Sequence, residues 1–490
     1  MGTILLENIA TLATFDERRQ VLTNAWLLIR DRLIDSLGTG PAPGPADQHI
    51  DLTGYVVLPG LVNLHHHFFQ SLLRNIPSLQ DVALFRWLRD MYLLMSEVRD
   101  EDQYVASQVS VAELLLSGCT TAVDHSYLKV NDMQFDTEIR AASELGIRFH
   151  LARGSFSLGQ KDGALPPDHI VEKEDDILAS TERLIQAYHD PGPGAMVRID
   201  NAPCSPFSVT PRLWKTSIEL ARKYGVGNHC HMAEAPDEEA YMLQTFGHRS
   251  VEMAQEWGWV GPDVWYAHAT CLSNHEIDIV ESTHTGICTC PNSNMYTAAR
   301  VCQVVPMLKR GIKIGLGVDG SATNHTSNLM QEVRAALMMQ RTTFGADAIS
   351  PTQALEIGCL GGARVLRRDD IGALAPGKCA DLIGYDTRRL TFAGGLHDPL
   401  AGLVFCDAGH VDLSIVNGRL RVVRGQLVGV DLAPLIQRQN RLAADLVRRT
   451  ERRYHVSLDY PTWRRAYPYD PPAEPPPYLD SANEQTETTR

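Results

Sequence analysis

The sequence predicts an α/β fold, a (β/α)8 TIM-type barrel with a small β-sandwich domain built from the N- and C-terminal segments. Three observations support this prediction. From residue 57 onward, eight short apolar runs alternate with helical segments, as in parallel strands joined by crossover helices. Strand-like segments with turns lie on both sides of this region. Histidines and carboxylates recur where the apolar runs end.

Residues 1–56 are predicted to form the first part of the small β domain. The segments TILLENIATLAT, VLTNAWLLIRDRLIDSLG and HIDLTGYVV are strand-like, and a Pro/Gly-rich loop, GTGPAPGPAD, separates the last two. Short apolar segments interrupted by such loops are typical of strands and turns. The first residues carry no basic region and no long apolar core, so no secretory signal is predicted.

Residues 57–370 are predicted to form the barrel. Its helices carry recognisable ends: one candidate closes at Gly118, and another opens on Thr210 and Pro211 and closes at Gly225. The eight apolar runs that predict the strands are VVLPGLVNL, TTAVDHSY, GIRFHLARG, VRIDNAPC, GVGNHCHMAE, VWYAHAT, TGICTCPNSN and KIGLGVDGS.

The pattern changes after the barrel. Residues 371–430 are predicted to complete the small β domain, because GALAPGKCADLIGYD and LSIVNGRLRVVRGQLVG are again strand-like and can return to the N-terminal segment. Residues 431–490 are predicted to form a charged amphipathic helix over 431–454, followed by a tail. The tail is Pro-rich and polar, and we expect it to be mostly disordered.

Composition and charge indicate which class of partner the protein binds. The net charge of −14 disfavours a large nucleic-acid-binding face, and no apolar run is long enough to span a bilayer. The ten cysteines show no CxxC and no framework spacing, which indicates reduced thiols in a cytoplasmic protein. Cys288 and Cys290, on one face of a predicted strand, are expected to be small buried hydrophobic residues. We therefore predict a small-molecule partner.

A metal site is predicted where the strands end. The carboxyl ends of barrel strands share one rim, and barrel enzymes place their active sites there. His65 and His67 are two residues apart, so on an extended strand they face the same side. Imidazoles with one carboxylate suit Zn²⁺ or Fe²⁺, whereas Ca²⁺ and Mg²⁺ prefer oxygen-rich sites. The residues that end four of the runs are His65, His67, His231, Glu234, His268 and Asp319.

We predict one divalent metal, Zn²⁺ or alternatively Fe²⁺, held by His65, His67, His231 and Asp319. Four ligands leave an open position for water, and a bound metal lowers the pKa of that water to about 7. No lysine ends the fourth run, so a bridged second metal is not predicted. The chain has no P-loop, no GxSxG and no PCxxC, which excludes the enzyme classes that depend on those motifs.

Over roughly residues 3–430 the chain resembles the amidohydrolase superfamily. The resemblance rests on PGLVNLHHH, HCHMAE, AHAT, GVDGS and GALAPGKCADL. Within the superfamily, the chain is similar to the branch that holds guanine, 8-oxoguanine and S-adenosylhomocysteine deaminases and the s-triazine hydrolases. The longer stretches NLHHHFFQSLLR, LLLSGCTTAVDHSYL, APCSPFSVTP and GVDGSATN are most similar to the 8-oxoguanine deaminases.

The resemblance implies a metal-dependent aminohydrolase that converts 8-oxoguanine to urate and ammonia. His268 and Asp319 would orient and deprotonate the attacking water, and Glu234 would carry a proton to the ring nitrogen beside the attacked carbon. Two alternatives stay open: the same chemistry on a pterin such as isoxanthopterin, or on an s-triazine such as hydroxyatrazine. A non-catalytic scaffold is a remote alternative, because it requires missing ligands. The resemblance also implies a homo-oligomer, a dimer or larger.

Five further residues are expected to bind the heterocycle. Gln70 resembles the glutamine that contacts the purine edge in the related deaminases. Cys204 and Ser205 stand at the end of the fourth run, where guanine deaminases carry an arginine–phenylalanine pair. That difference disfavours guanine and agrees with the 8-oxoguanine type. His125 and Tyr127, at the end of the second run, are predicted to line the pocket.

Overall fold

The computed structural model describes residues 2–406 and 409–459. The N-terminal segment forms strands, as predicted. The first two pair antiparallel from Thr3↔Arg30 to Ala13↔Val21, and the first also pairs in parallel with the fourth and the fifth. These strands are β1 (Thr3–Ala13), β2 (Val21–Arg30), β3 (Leu33–Thr39), β4 (Gln48–Asp51) and β5 (Tyr55–Pro59).

The barrel is closed by eight parallel strands, which confirms the predicted fold class. Each strand pairs with the next one along the chain, and the last returns to the first through Leu316 and Asn63. The strands are β6 (Leu61–Asn63), β7 (Cys119–Ser126), β8 (Arg148–Ser155), β9 (Val197–Pro203), β10 (Asn228–Met232), β11 (Val264–His268), β12 (Gly286–Thr289) and β13 (Ile314–Leu316).

The first predicted barrel strand is wrong in one respect. The sequence predicts one strand over VVLPGLVNL, but the chain passes from β5 in the small sheet to β6 in the barrel at Gly60. A Cβ atom at Gly60 would lie 2.1 Å from the hydroxyl oxygen of Thr120, so only glycine fits this crossing without a shift. One continuous apolar run therefore contributes a strand to each of two sheets, because both of its halves are buried.

Helices surround the barrel. α5 begins and ends as predicted: the Thr210 hydroxyl accepts a hydrogen bond from the backbone N–H of Leu213, and Gly225 has a φ of +70°. The helices that lie between the strands or follow β13 are α1 (Leu84–Met95), α2 (Asp100–Leu116), α3 (Phe135–Leu145), α4 (Glu174–Tyr188), α5 (Pro211–Tyr224), α6 (Pro236–Phe246), α7 (Ser250–Glu256), α8 (Asn274–Thr283), α9 (Pro291–Tyr296), α10 (Val304–Lys309), α11 (Leu329–Phe344), α12 (Pro351–Glu356) and α13 (Gly362–Val365).

The C-terminal strands complete the small domain. β14 pairs antiparallel with β5, so the two terminal segments share one nine-stranded sheet, as the sequence predicts. A buried ion pair joins this sheet to the barrel, with Arg148 Nε lying 2.9 Å from Asp381 Oδ2. The returning strands are β14 (Leu382–Asp386), β15 (Leu413–Val416), β16 (Arg419–Val423) and β17 (Gln426–Leu427). The exact domain boundaries stay predictions.

The last described helices are α14 (Pro399–Phe405) and α15 (Leu432–Tyr454), and the second matches the predicted amphipathic helix. Leu442 and Leu446 of α15 are buried in the same apolar cluster as Trp87 of α1. α15 thereby covers the region between the first and second barrel strands. The Pro-rich tail, predicted to be disordered, lies outside the described residues. Among the helices of the described ranges, none is long and apolar enough to cross a membrane.

Candidate metal centre and substrate pocket

The structure brings the six predicted rim residues together. Each follows or ends a barrel strand: two follow β6, two belong to β10 and the turn after it, one ends β11 and one follows β13. The backbone turns sharply here, since φ is +72° at His268 and +62° at Asp319. All six side chains are buried. They are His65, His67, His231, Glu234, His268 and Asp319.

The protonation of two rings follows from their partners. The Nδ1 atom of His67 lies 2.8 Å from the carbonyl oxygen of His125, and that of His231 lies 2.8 Å from the carbonyl oxygen of Cys204. A carbonyl oxygen can only accept, so both Nδ1 atoms carry the hydrogen, and in the neutral form of each ring the lone pair lies on Nε2. These two Nε2 atoms lie 3.1 Å apart. Two lone pairs at that distance repel each other unless a cation lies between them.

The third ring is oriented by a histidine that the sequence analysis did not single out. His229 Nδ1 lies 3.1 Å from the carbonyl oxygen of Trp265, so its Nε2 is the acceptor of the 2.7 Å contact with His65 Nδ1. His65 therefore directs an unprotonated Nε2 at the same point. That atom is buried and has no hydrogen-bond partner within the described ranges. Burial lowers the pKa of His65 and of His231 well below its ordinary value, which keeps both rings neutral.

A carboxylate completes the cluster. Asp319 Oδ1 lies 3.4 Å from His65 Nε2 and 3.2 Å from His67 Nε2. Its other oxygen accepts a 2.5 Å hydrogen bond from the Ser293 hydroxyl, which fixes the orientation of the carboxylate. Three imidazole nitrogens and one carboxylate that converge on one point fit a divalent cation such as Zn²⁺ or Fe²⁺.

Glu234 and His268 lie beside this cluster. His268 Nε2 is 3.6 Å from Glu234 Oε1 and 3.9 Å from Asp319 Oδ2, while its Nδ1 is 3.0 Å from Asn294 Oδ1. Burial, together with the charge of Asp319, raises the pKa of Glu234 well above its ordinary value. A buried carboxyl group with a raised pKa is suited to act as a general acid.

A pocket opens above the cluster and presents both polar and aromatic surface. Four of the five predicted substrate-binding residues line it: Gln70, Tyr127, Cys204 and Ser205. Burial raises the pKa of the Cys204 thiol, so it enters the pocket as a neutral group. The apolar wall is formed by Leu84, Trp87, Leu88, Tyr92, Phe156 and Phe207.

His125 is not among the residues that line this pocket, and its role in binding the heterocycle stays a prediction. Its Nε2 lies 2.9 Å from the carbonyl oxygen of Ala202, and its ring packs 4.8 Å from that of His231. The ring lies below the metal cluster because β7 points it into the barrel interior. Its Nδ1 comes close enough to His65, His67 and His231 to belong to the same group of possible ligand atoms.

Comparison with protein families adds an independent observation. A model of the amidohydrolase family matches residues 56–421. The chain belongs to the amidohydrolase family. This member is 46% identical over 425 residues to the 8-oxoguanine deaminase of Pseudomonas aeruginosa, an alignment that covers 86% of this chain and 94% of that protein.

Two further proteins are similar to this chain over most of its length. The hydroxydechloroatrazine ethylaminohydrolase of Pseudomonas sp. strain ADP is 36% identical over 453 residues, covering 88% of this chain and 93% of the relative. The atrazine chlorohydrolase of Arthrobacter aurescens TC1, whose crystal structure contains zinc, superposes with a TM-score of 0.85 at 29% identity. That superposition covers 90% of this chain and 100% of the other.

Some residues that the structure places at this amidohydrolase site are not predicted from the sequence. A signal was available for His229, which precedes His231 with the same spacing as His65 and His67 and so faces the same side of its strand. No comparable signal marks Trp87, because an apolar residue on an amphipathic helix more often packs in a core. In the structure its indole nitrogen is buried without a partner in the described ranges.

Proposed function

We propose that this protein is a metal-dependent hydrolytic deaminase of an aminated heterocycle, with 8-oxoguanine as the substrate and urate and ammonia as the products. The observation that carries the proposal is the convergence of three imidazole Nε2 atoms and the Asp319 carboxylate beside the buried acid Glu234. These groups lie below a pocket with aromatic walls, which suits a planar ring. The similarity to the 8-oxoguanine deaminase of P. aeruginosa supports this choice of heterocycle.

One divalent cation would be held by His65, His67, His231 and Asp319. We propose Zn²⁺, because tetrahedral nitrogen and oxygen donor sets suit it and because the atrazine chlorohydrolase relative was solved with zinc. When bound, the cation supplies Lewis-acid chemistry that makes water a stronger nucleophile at neutral pH. His229 and Ser293 would keep the ligands His65 and Asp319 in place through hydrogen bonds.

The remaining steps belong to the side chains around the ring. Water oxygen bonds to the carbon that bears the amino group, and His268 Nε2 is placed to accept a proton from that water. Glu234 donates its proton to the ring nitrogen beside the attacked carbon. The Glu234 carboxylate then takes the proton of the new hydroxyl group and passes it to the amino nitrogen. The carbon–nitrogen bond breaks, the electron pair leaves with the protonated nitrogen as ammonia, and a carbonyl remains. The proton held by His268 returns to Glu234, which restores both side chains.

Experiment must distinguish 8-oxoguanine from the other candidate substrates of this pocket. The metal ligands serve the chemistry of any aminated heterocycle, so a pterin or an s-triazine is separated from a purine only by the pocket. Cys204 and Ser205 favour the oxidised purine, since they are small and uncharged at the fourth strand end. A non-catalytic scaffold is disfavoured, because every proposed ligand and both proton-transfer residues are present.

The test is ammonia release from metal-replete protein with 8-oxoguanine, guanine, isoxanthopterin, cytosine and hydroxyatrazine, alongside metal quantification. We expect 8-oxoguanine to be turned over with the highest kcat/KM and about one metal per chain. Preference for the pterin or the triazine would overturn the assigned substrate and leave the hydrolytic deaminase. Stoichiometric metal with no ammonia from any compound would overturn the deaminase itself.

Quaternary structure and cellular location stay predictions. We propose a homo-oligomer, which light scattering of the purified protein tests directly. We also propose a cytoplasmic enzyme, because nine of the ten cysteines are free and buried and the tenth is free and exposed.

A further inference from the structure

Both polar atoms of the Gln70 side-chain amide make hydrogen bonds. Its Nε2 donates to the Tyr127 hydroxyl at 3.0 Å, and its Oε1 accepts from the backbone N–H of Ala322 at 3.4 Å. A backbone amide can only donate, so the atom that faces Ala322 must be the oxygen. The Tyr127 hydroxyl consequently acts as the acceptor for Gln70. Rotation of the amide by half a turn would lose the hydrogen bond from Ala322 and set its N–H against the amide NH2, donor against donor.

Gly320 makes this placement of Gln70 possible. A Cβ atom at Gly320 would lie 1.9 Å from Gln70 Oε1 and 2.3 Å from its Cδ. Contacts under 3.0 Å essentially never occur for real Cβ atoms, so any larger residue would displace the amide. The same glycine follows Asp319, and its backbone N–H donates to Asp319 Oδ1 at 2.6 Å. The position of Gln70 therefore depends on the backbone turn that carries Asp319, the proposed carboxylate ligand.

The Tyr127 ring is itself fixed. It packs edge-on against His67 and Phe69, with ring centroids 4.7 and 5.6 Å away, and lies 5.1 Å from Phe156. Only 4% of Tyr127 is exposed. A ring held on three sides keeps its hydroxyl at one place, so the orientation of the Gln70 amide is determined before any ligand arrives.

We infer that Tyr127 and Gly320 are positioning residues that make Gln70 present its second amide N–H to the ligand. The inference rests on the proposed function and defines its substrate class more narrowly. A fixed N–H donor recognises a hydrogen-bond acceptor, so the ring edge that meets Gln70 carries a carbonyl oxygen or an unprotonated ring nitrogen. An amino or alkylamino group at that edge would place its N–H against the N–H of Gln70. Neither donor would then have an acceptor, which is unfavourable in a buried site.

The test uses urate as an equilibrium ligand and 8-oxoguanine as substrate, on the metal-replete wild type and on Gln70→Ala, Tyr127→Phe and the double variant. Tyr127→Phe keeps the ring packing and removes the hydroxyl. We expect each single variant to raise the Kd for urate and the KM for 8-oxoguanine by about tenfold, the effect of one hydrogen bond in a buried site. The kcat value should stay within about twofold of wild type.

The double variant separates positioning from direct contact. If Tyr127 acts through Gln70, the double variant binds urate as weakly as Gln70→Ala alone. A further loss in the double variant would show that Tyr127 contacts the ligand itself and would overturn the positioning role. Tyr224→Phe is the matched control, because Gln186 donates to the Tyr224 hydroxyl at the same 3.0 Å far from the site. That control should bind urate like wild type.

Different experimental results would overturn this inference and the proposed function. Wild-type turnover of 8-oxoguanine with no change of Kd or KM in Tyr127→Phe would overturn the inference and leave the deaminase intact. A metal-replete wild type that neither binds urate nor releases ammonia from any tested heterocycle would overturn the deaminase and the ligand class together. Equal metal content in all variants shows that the measured losses come from the pocket.

Discussion

The Nε2 atoms of His67 and His231 face each other at 3.1 Å. Each ring donates its Nδ1–H to a backbone carbonyl oxygen, that of His125 in β7 and that of Cys204, which follows β9. In the neutral rings both Nε2 lone pairs therefore point at one place, where a divalent cation would turn a repulsive contact into an attractive one. This geometry supports a metal centre in addition to the residue types.

Removing a ligand from this pair should remove the metal. We expect His67→Ala to purify with less than about a tenth of the metal of wild type and to lose measurable deaminase activity, because the remaining donors no longer enclose the cation. Metal analysis after dialysis against a chelator-treated buffer is the measurement. His248→Ala, an exposed histidine, serves as the control. Unchanged metal content in His67→Ala would show that the ligand set is assigned incorrectly.

Glu234 should affect rate and leave the metal in place. Glu234→Gln keeps the shape of the side chain and removes the transferable proton, so we expect kcat to fall by about 10²- to 10⁴-fold, the usual contribution of general acid–base catalysis. Metal content should equal that of wild type. Glu256→Gln, at an exposed position of α7, should keep full activity. Near-wild-type turnover by Glu234→Gln would reject the proton-transfer role.

His229 should affect metal affinity although it is not itself a proposed ligand. It accepts from His65 Nδ1 at 2.7 Å and so determines which nitrogen of His65 faces the cation. Loss of such a supporting partner typically costs 10- to 100-fold in metal affinity. We expect His229→Phe to raise the Kd for Zn²⁺ by about that factor in a competition titration with a chromogenic chelator. An unchanged Kd would mean that the His65 tautomer is set elsewhere.

The C-terminal helix should contribute strongly to stability. Arg449 of α15 lies 2.6 Å from Asp102 of α2, and these side chains are 13% and 2% exposed. Breaking a buried pair leaves an uncompensated charge, so we expect Arg449→Ala to lower the free energy of unfolding by about 3 kcal/mol. Arg448→Ala, whose pair with Asp445 is exposed, should cost about 0.5 kcal/mol or less. Urea unfolding of the full chain compares them, and equal losses would contradict this assignment.

The sequence predicts the barrel and its rim more fully than the pocket. His231 and Asp319 could be assigned because each directly ends an apolar run, and strand ends of a barrel meet at one rim. Trp87 could not, because the side of α1 that faces the pocket is decided by α15, which lies far along the chain. His125 and Tyr127 are not distinguished by sequence either: His125 lies within β7 and packs against His231, whereas Tyr127 follows the strand and lines the pocket. Gly60 shows that an apolar run alone does not reveal where one sheet ends and the next begins.

The contribution of Glu332 to the stability of the folded protein should depend on pH. It is fully buried, accepts from the backbone N–H of Asn292 at 3.0 Å and from Asn324 Nδ2 at 2.7 Å, and burial raises its pKa from 4.5 to about 7. A carboxyl group with a raised pKa in the folded state binds its proton more tightly there than in the unfolded chain. Its contribution to stability is therefore complete below about pH 4.5 and is lost as the pH rises through about 7.

We expect the wild type to lose about 3 kcal/mol of this contribution between those pH values, since one pKa unit corresponds to about 1.4 kcal/mol. Glu332→Gln cannot titrate, so the difference in the free energy of unfolding between wild type and variant should change across this window and stay constant outside it. Urea unfolding at closely spaced pH values measures that difference. Glu219→Gln, at an exposed position of α5, should show no such change. A difference between wild type and Glu332→Gln that is independent of pH would mean that the Glu332 carboxyl group stays ionised in the folded protein.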